Sequence, residues 1–93
     1  MREKDIEREL VGAVRKQGGL AVKFISPGWA GVPDRLLLMP GGKAVFVETK
    51  APGHSLRPLQ VKRKRQLEAL GFSVYCVDHL AQIGGVLDEV CAP

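Results

Sequence analysis

Residues 31–50, GVPDRLLLMPGGKAVFVETK, constrain the fold more than any other part of this chain. Two apolar runs, Asp34 to Met39 and Ala44 to Lys50, are joined by Pro40-Gly41-Gly42-Lys43. That is hairpin chemistry, because glycine supplies the positive φ that a tight reversal needs. With Pro40, Gly41 and Gly42 as the loop, Met39 pairs with Lys43 and Asp34 falls directly opposite Glu48. Opposed residues on one sheet face hold their Cβ atoms roughly 4.5–5.5 Å apart, where like charges repel. Lys50 follows Glu48 by two positions and projects from the same face. A strand pair otherwise built from Leu36, Leu38, Val45, Phe46 and Val47 thus gathers two carboxylates and a lysine at one end. Charge withdrawn from water is normally paired or bound to a metal.

The rest of the chain reads as helices and strands around this hairpin. Ile6, Leu10, Ala13 and Val14 recur at helical spacing, which predicts a helix from Lys4 to about Gln17, stopped by Gly18-Gly19. Ala21 to Ile25 is a short apolar strand, and Ser26 to Pro33 a turn-rich loop. After the loop Ala51 to Ser55, Leu59 to Leu70 is a helix with Pro58 at its start and Gly71 at its end. Phe72 to Val77 is a further strand. Leu80, Ile83, Leu87 and Val90 share a face of a last helix over His79 to Val90, against the weakening effect of Gly84-Gly85. The order α-β-β-β-α-β-α implies an α/β fold, a mixed central sheet covered by helices on both sides. With 93 residues the chain is expected to form one domain, residues 1–93.

Charge is unevenly spread. Residues 1–42 carry seven basic and five acidic side chains, residues 43–65 seven and one, and residues 66–93 none and four. A basic middle beside an acidic tail is the asymmetry of a protein with one surface for a polyanion. A lone KRKR run would read as a solvated helix face; the neighbouring carboxylates and lysine shift the balance. No run approaches the roughly 18–20 apolar residues that cross a bilayer, and MREKDIERE is too polar for a signal peptide. Cys76 and Cys91 have no ligand spacing and read as ordinary thiols of a reducing compartment, so a cytoplasmic protein with no membrane partner is expected.

A divalent cation would resolve the crowding of Asp34 and Glu48. Mg²⁺ takes oxygen ligands, keeps several waters, and is typically held by one or two carboxylates plus phosphate oxygens. It acidifies water and stabilises charge on a phosphoryl group. Lys50 would then orient or activate the attacking water, or neutralise the transition state. The bland alternative is a Lys50 ion pair with Glu48 or Asp34 at a sheet edge.

Pro33-Asp34 followed by Glu48-Thr49-Lys50 resembles the pattern of the PD-(D/E)XK nuclease superfamily. More closely, the chain resembles a stand-alone VRR-NUC domain of the phage and bacterial type. The features carrying the likeness are the first helix with Glu3 and Glu7, the loop GWAGVPDR, the strand FVETKAPG, and Leu59-Gln60 opening the next helix, together spanning about residues 3–78. The resemblance implies an α-β-β-β-α-β core of restriction-endonuclease type and Mg²⁺- or Mn²⁺-dependent phosphodiester hydrolysis. It makes Asp34, Glu48 and the Thr49 carbonyl metal ligands, and Lys50 the catalytic lysine. It also places a helix-borne glutamate at the metal, Glu7 by its position beside the buried stripe, or Glu3 one turn earlier. Gln60 would approach the site from the basic helix, against the alternative of a solvent-facing first-turn residue.

Gln60, Arg63 and Lys64 share one side of that helix by spacing, which makes Arg63 and Lys64 expected phosphate contacts. Arg57 and His54 flank the site and could touch the DNA backbone, with His54 otherwise a plain loop histidine. Trp29 has two readings, a packing residue or a wedge near the scissile phosphate; Lys23 is undecided. The resemblance further implies branched DNA as substrate, four-way (Holliday) junctions first, with a homodimer supplying two active sites. The apolar stripe of the last helix would close the dimer or pack internally. A flap, nick or general duplex endonuclease is the alternative within the nucleases. A non-catalytic DNA-binding accessory is the alternative outside them.

Overall fold

The structure, a computed structural model, describes residues 1–93. Helix α1 (Glu3–Lys16) is followed by β1 (Leu20–Lys23), β2 (Arg35–Met39), β3 (Lys43–Thr49), α2 (Pro58–Ala69), β4 (Val74–Val77) and α3 (Ala81–Val90). Ile6, Leu10 and Val14 turn one stripe of α1 wholly inward. Its N-terminus carries Glu3 and Asp5 and its last turn Arg15 and Lys16, each sign matching the helix dipole. Gly18 takes φ 84°, and the Gly18 and Gly19 amides donate to the Arg15 and Val14 carbonyls, closing the helix. Gly19 is needed for a second reason. A Cβ there would lie 2.6 Å from Met39 Sδ and 2.8 Å from the Leu38 carbonyl oxygen. Gly19→Ala is expected to cost about 1–3 kcal/mol, seen as a lower urea midpoint with an unchanged slope.

The sheet order is β1-β2-β3-β4, antiparallel through β3, with β4 parallel to β3 after the α2 crossover. Met39 pairs with Lys43 and Arg35 with Val47, the register expected from the three-residue loop. Alternation then sorts the side chains. Leu37, Val45 and Val47 join Ile6, Leu10 and Val14 of α1 and Ile83, Leu87 and Val90 of α3 in the main core. The opposite face carries Phe46, Val74 and Leu67 of α2, with Phe24, Trp29 and Leu36 packed against them.

Helices lie on both faces of the sheet, as expected, but α2 shields only part of its face: Leu20, Val22 and Leu38, which share that face by register, stay exposed. Ile25, expected in β1, lies beyond it and is 76% exposed. The α3 stripe packs internally, with Ile83, Leu87 and Val90 buried together with Val86, so α3 does not hold that stripe out for a partner. Gly84 and Gly85 are exposed within α3 and meet nothing, so burial of the other face outweighs their poor propensity. No helix is long and apolar enough to cross a membrane.

Candidate active site

The open end of the β2–β3 hairpin is closed by a side chain. Continuing the register puts Thr49 opposite Pro33, which has no N–H to give a ladder. Instead the Thr49 amide donates to Asp34 Oδ1 at 2.9 Å and its hydroxyl to Asp34 Oδ2 at 2.5 Å. The Asp34 carbonyl in turn accepts from the Phe24 amide at 2.9 Å. Asp34 is thus held by both neighbouring strands, and Thr49 is fully buried behind it. The role of the Thr49 side chain escaped the sequence reading; a Thr placed across from a Pro was the available signal.

Asp34 and Glu48 open into one cleft of about 370 Å³. One wall is Ala30, Gly31 and Val32 of the loop before Asp34, and the other is Arg57, Leu59 and Gln60 at the start of α2. Burial raises the Asp34 pKa, against the two Thr49 hydrogen bonds that lower it, and the charge of Glu7 adds to the rise. Burial, and then the charge of Asp34, push Glu48 up to about 7, with Lys50 and Arg57 opposing and Glu3 adding. Lys50 is 7% exposed. The molecule's four ion pairs are Arg2–Asp5, Arg8–Asp5, Arg35–Glu7 and Lys64–Glu68, so the Lys50 side chain is largely buried while its ammonium makes no ion pair. Two crowded carboxylates that resist ionising are short of positive charge, which fits a hard divalent cation with oxygen ligands.

This electrostatics has a sign that can be measured. The folded protein holds the extra Glu48 proton between about 4.5 and about 7, so the Glu48 contribution makes metal-free stability fall as pH rises through that window. Melting temperatures without divalent ions are expected to drop across it. Mg²⁺ should raise the melting temperature more at pH 8 than at pH 6, because its carboxylate ligands bind deprotonated. Equal Mg²⁺ effects at both pH values would contradict the assignment.

Other expected site residues are placed differently. Glu7 is half-buried and pairs with Arg35 at 2.5 Å, while Arg35 also donates to the Ala21 carbonyl at 2.9 Å. Glu7 does not line the cleft, and no three acidic, His or Cys side chains converge to hold an ion. Glu7 is thus paired with the arginine next to Asp34, and its charge acts on Asp34. Glu3 is exposed and makes no ion pair, and its charge reaches Glu48. Gln60 lines the cleft as expected, and its Oε1 accepts the Arg57 amide at 2.9 Å, capping α2 and leaving its amide hydrogens to donate. Arg57 is exposed at the cleft wall.

Arg63 and Lys64, the expected phosphate contacts, have partners within the protein. Both lie half-buried on the side of α2 that carries Leu67. Arg63 donates to the Ala30 carbonyl, and Lys64 pairs with Glu68 at 2.9 Å. Lys62 and Arg65, on the outer side, are exposed and make no ion pair. Gln60, Arg63 and Lys64 share one face of α2, and all three are half-buried there. Trp29 packs against the Phe46 cluster, as its packing reading held. His54 is exposed, as is Lys23, which lies across from Arg35 on the α1 side. Cys76 and Cys91 are free thiols. A second cleft of about 360 Å³, between α1 and α3, is lined by Ala13, Leu80, Ile83 and Leu87 with Glu9, Asp88 and Lys16 among its other walls.

No family profile matches the sequence. It is 53% identical over 78 residues, 84% of each chain, to "Putative nuclease p44" of Acyrthosiphon pisum secondary endosymbiont phage 1. Among solved structures, a chain described as a VRR_NUC domain superposes with a TM-score of 0.86 at 25% identity, covering 92% of this chain and 94% of that one. Close kinship in sequence and a near-complete match of the folded backbone agree: the chain belongs to the VRR-NUC family of nucleases, within the PD-(D/E)XK superfamily.

Proposed function

We propose that this nuclease is a Mg²⁺- or Mn²⁺-dependent endonuclease that cuts branched DNA, four-way junctions first, as a homodimer. The observation that carries the proposal is the meeting of Asp34 and Glu48 in one cleft, both held above their ordinary carboxylate range, with the charge of Lys50, two residues along β3, acting on Glu48. A divalent cation held by the two carboxylates would supply Lewis acidity to the scissile phosphodiester and the attacking water. Thr49 fixes the Asp34 carboxylate through both oxygens, so this ligand needs no reorganisation. Lys50 offers its ammonium to charge developing on the phosphoryl oxygens, and burial strengthens that attraction. Gln60 donates from its free amide hydrogens to a phosphate or the attacking water, and Arg57 binds the flanking phosphate from the rim. Glu7, or Glu3 one turn earlier, would complete the metal shell from α1, and the Thr49 carbonyl remains a proposed ligand.

Lys62 and Arg65 join Arg57 as the sequence-independent phosphate contacts. Binding should weaken steeply with salt. A homodimer supplies the two active sites that symmetric cutting needs. Since α3 packs internally, the uncovered Leu20, Val22 and Leu38, clustered on one sheet face, offer an apolar surface for it. The test incubates the purified protein with labelled four-way junction, flap and linear duplex, in Mg²⁺, Mn²⁺ or EDTA. Paired, symmetric nicks on the junction alone are expected, abolished by EDTA. Equal cutting of linear duplex would leave a general endonuclease. Binding without cutting in either metal would leave a DNA-binding accessory, and a monomer by sedimentation with junction present would remove the dimer.

A further inference from the structure

The cleft wall that leads to Asp34 is tied to helix α2 through one side chain. Arg63 Nε donates to the Ala30 carbonyl at 2.7 Å, and its guanidinium carbon lies 4.9 Å from the centroid of the Trp29 ring. Its Nη1 donates to Gln66 Oε1 at 2.9 Å, which braces the group on its own helix. Trp29 is seated from below on Phe46, Leu67 and Val74, and its amide donates to the Ser26 carbonyl at 3.0 Å. One residue further, Gly31 has φ 86°, and a Cβ there would stand 2.7 Å from Leu59 Cγ. The loop therefore touches the first turn of α2 with no room to spare, and three residues later it delivers Asp34.

We propose that Arg63 is a positioning residue for the nuclease reaction: it clamps the Trp29–Ala30 segment to α2, and so sets the width of the cleft between Asp34 and the Gln60–Arg57 wall. The proposal rests on the nuclease reading above. Arg63 differs from the exposed Lys62 and Arg65 because its planar fork is occupied on both its face and its edge. A lysine would keep the charge but would lose the flat stack and the directed Nε–H bond. A phosphate contact would act on affinity and on its salt dependence. A clamp acts on turnover, since a misplacement of about 1 Å can cost up to roughly a hundredfold.

The test compares Arg63→Lys, Trp29→Phe and Trp29→Leu with the native chain. Measured quantities are turnover at saturating DNA, DNA affinity with Ca²⁺ in place of Mg²⁺, melting temperature, and Trp29 emission during titration with Mg²⁺ alone. Trp29 is the only tryptophan, so its emission reports this joint directly. Arg63→Lys is expected to lower turnover about ten- to a hundredfold, with DNA affinity held within about twofold because the charge stays. Mg²⁺ should shift Trp29 emission in the native chain and fail to shift it in Arg63→Lys. Trp29→Phe retains an aromatic face and should restore turnover to within about threefold, whereas Trp29→Leu should match Arg63→Lys. If Arg63→Lys does not fold, the contrast between Phe and Leu at position 29 decides. Native turnover in Arg63→Lys, lost affinity with unchanged turnover, or equal behaviour of the two Trp29 variants would overturn the clamp. Should the native chain cut no DNA, the nuclease reading falls, and the Mg²⁺-dependent emission alone judges the clamp.

Discussion

Asp34→Asn is expected to slow phosphodiester cleavage by on the order of a thousandfold while leaving the protein folded. The reason lies in how Asp34 is held. Its two oxygens accept from the Thr49 amide and hydroxyl. An asparagine keeps the first bond through its carbonyl, and it can donate to the hydroxyl, which also accepts. What disappears is the negative charge. With it goes part of the push on Glu48, whose pKa should fall from about 7 toward the ordinary glutamate value. Asp34→Ala removes the scaffold as well, leaving two buried Thr49 donors unpaired at about 1–3 kcal/mol each. Cleavage assays and melting curves on both variants separate the two roles. An Asp34→Asn protein that cuts within a few-fold of the native chain would remove this carboxylate from the chemistry.

Lys50→Met should move activity and stability in opposite directions. The Lys50 side chain is largely buried and its ammonium makes no ion pair, so nothing in the fold offsets the cost of holding a charge there. Methionine fills similar space with no polar group. Its introduction is expected to raise the melting temperature, by about 4–8 °C for a gain near 1 kcal/mol in a domain of this size. Cleavage should fall by about a hundredfold or more, because charge developing on the phosphoryl group loses the cation proposed to stabilise it. The Glu48 pKa should rise further without the opposing lysine. A Lys50→Met protein that is both less stable and active would show that the lysine is a scaffold residue. Gains in stability at the expense of function mark groups held in place for chemistry.

Much of this architecture is legible in the primary order because the signals are local. Apolar spacing marks α1, Pro40-Gly41-Gly42 sets the hairpin loop, and period-two alternation then fixes which residues face each other. That arithmetic alone brings Asp34 to Glu48 and carries Lys50 after them. The limits of the elements slip by one or two residues, and β4 begins at Val74 rather than Phe72, since Phe72 leaves the ladder to pack edge-on against Phe46.

The pairings of long side chains were not legible, because they join segments far apart in the chain. Helical spacing grouped Gln60, Arg63 and Lys64 correctly, yet nothing in α2 itself says which side meets the sheet; Trp29 and Ala30 decide that by coming to lie beneath Arg63. Glu7 likewise meets Arg35 across a sequence gap of 28 residues, which only the packing of α1 over β2 brings together. Short-range geometry is carried by bond rotations and strand alternation, and can be read from neighbours. Charge partnerships depend on where whole elements settle under hydrophobic burial, so they exist only once the core is assembled.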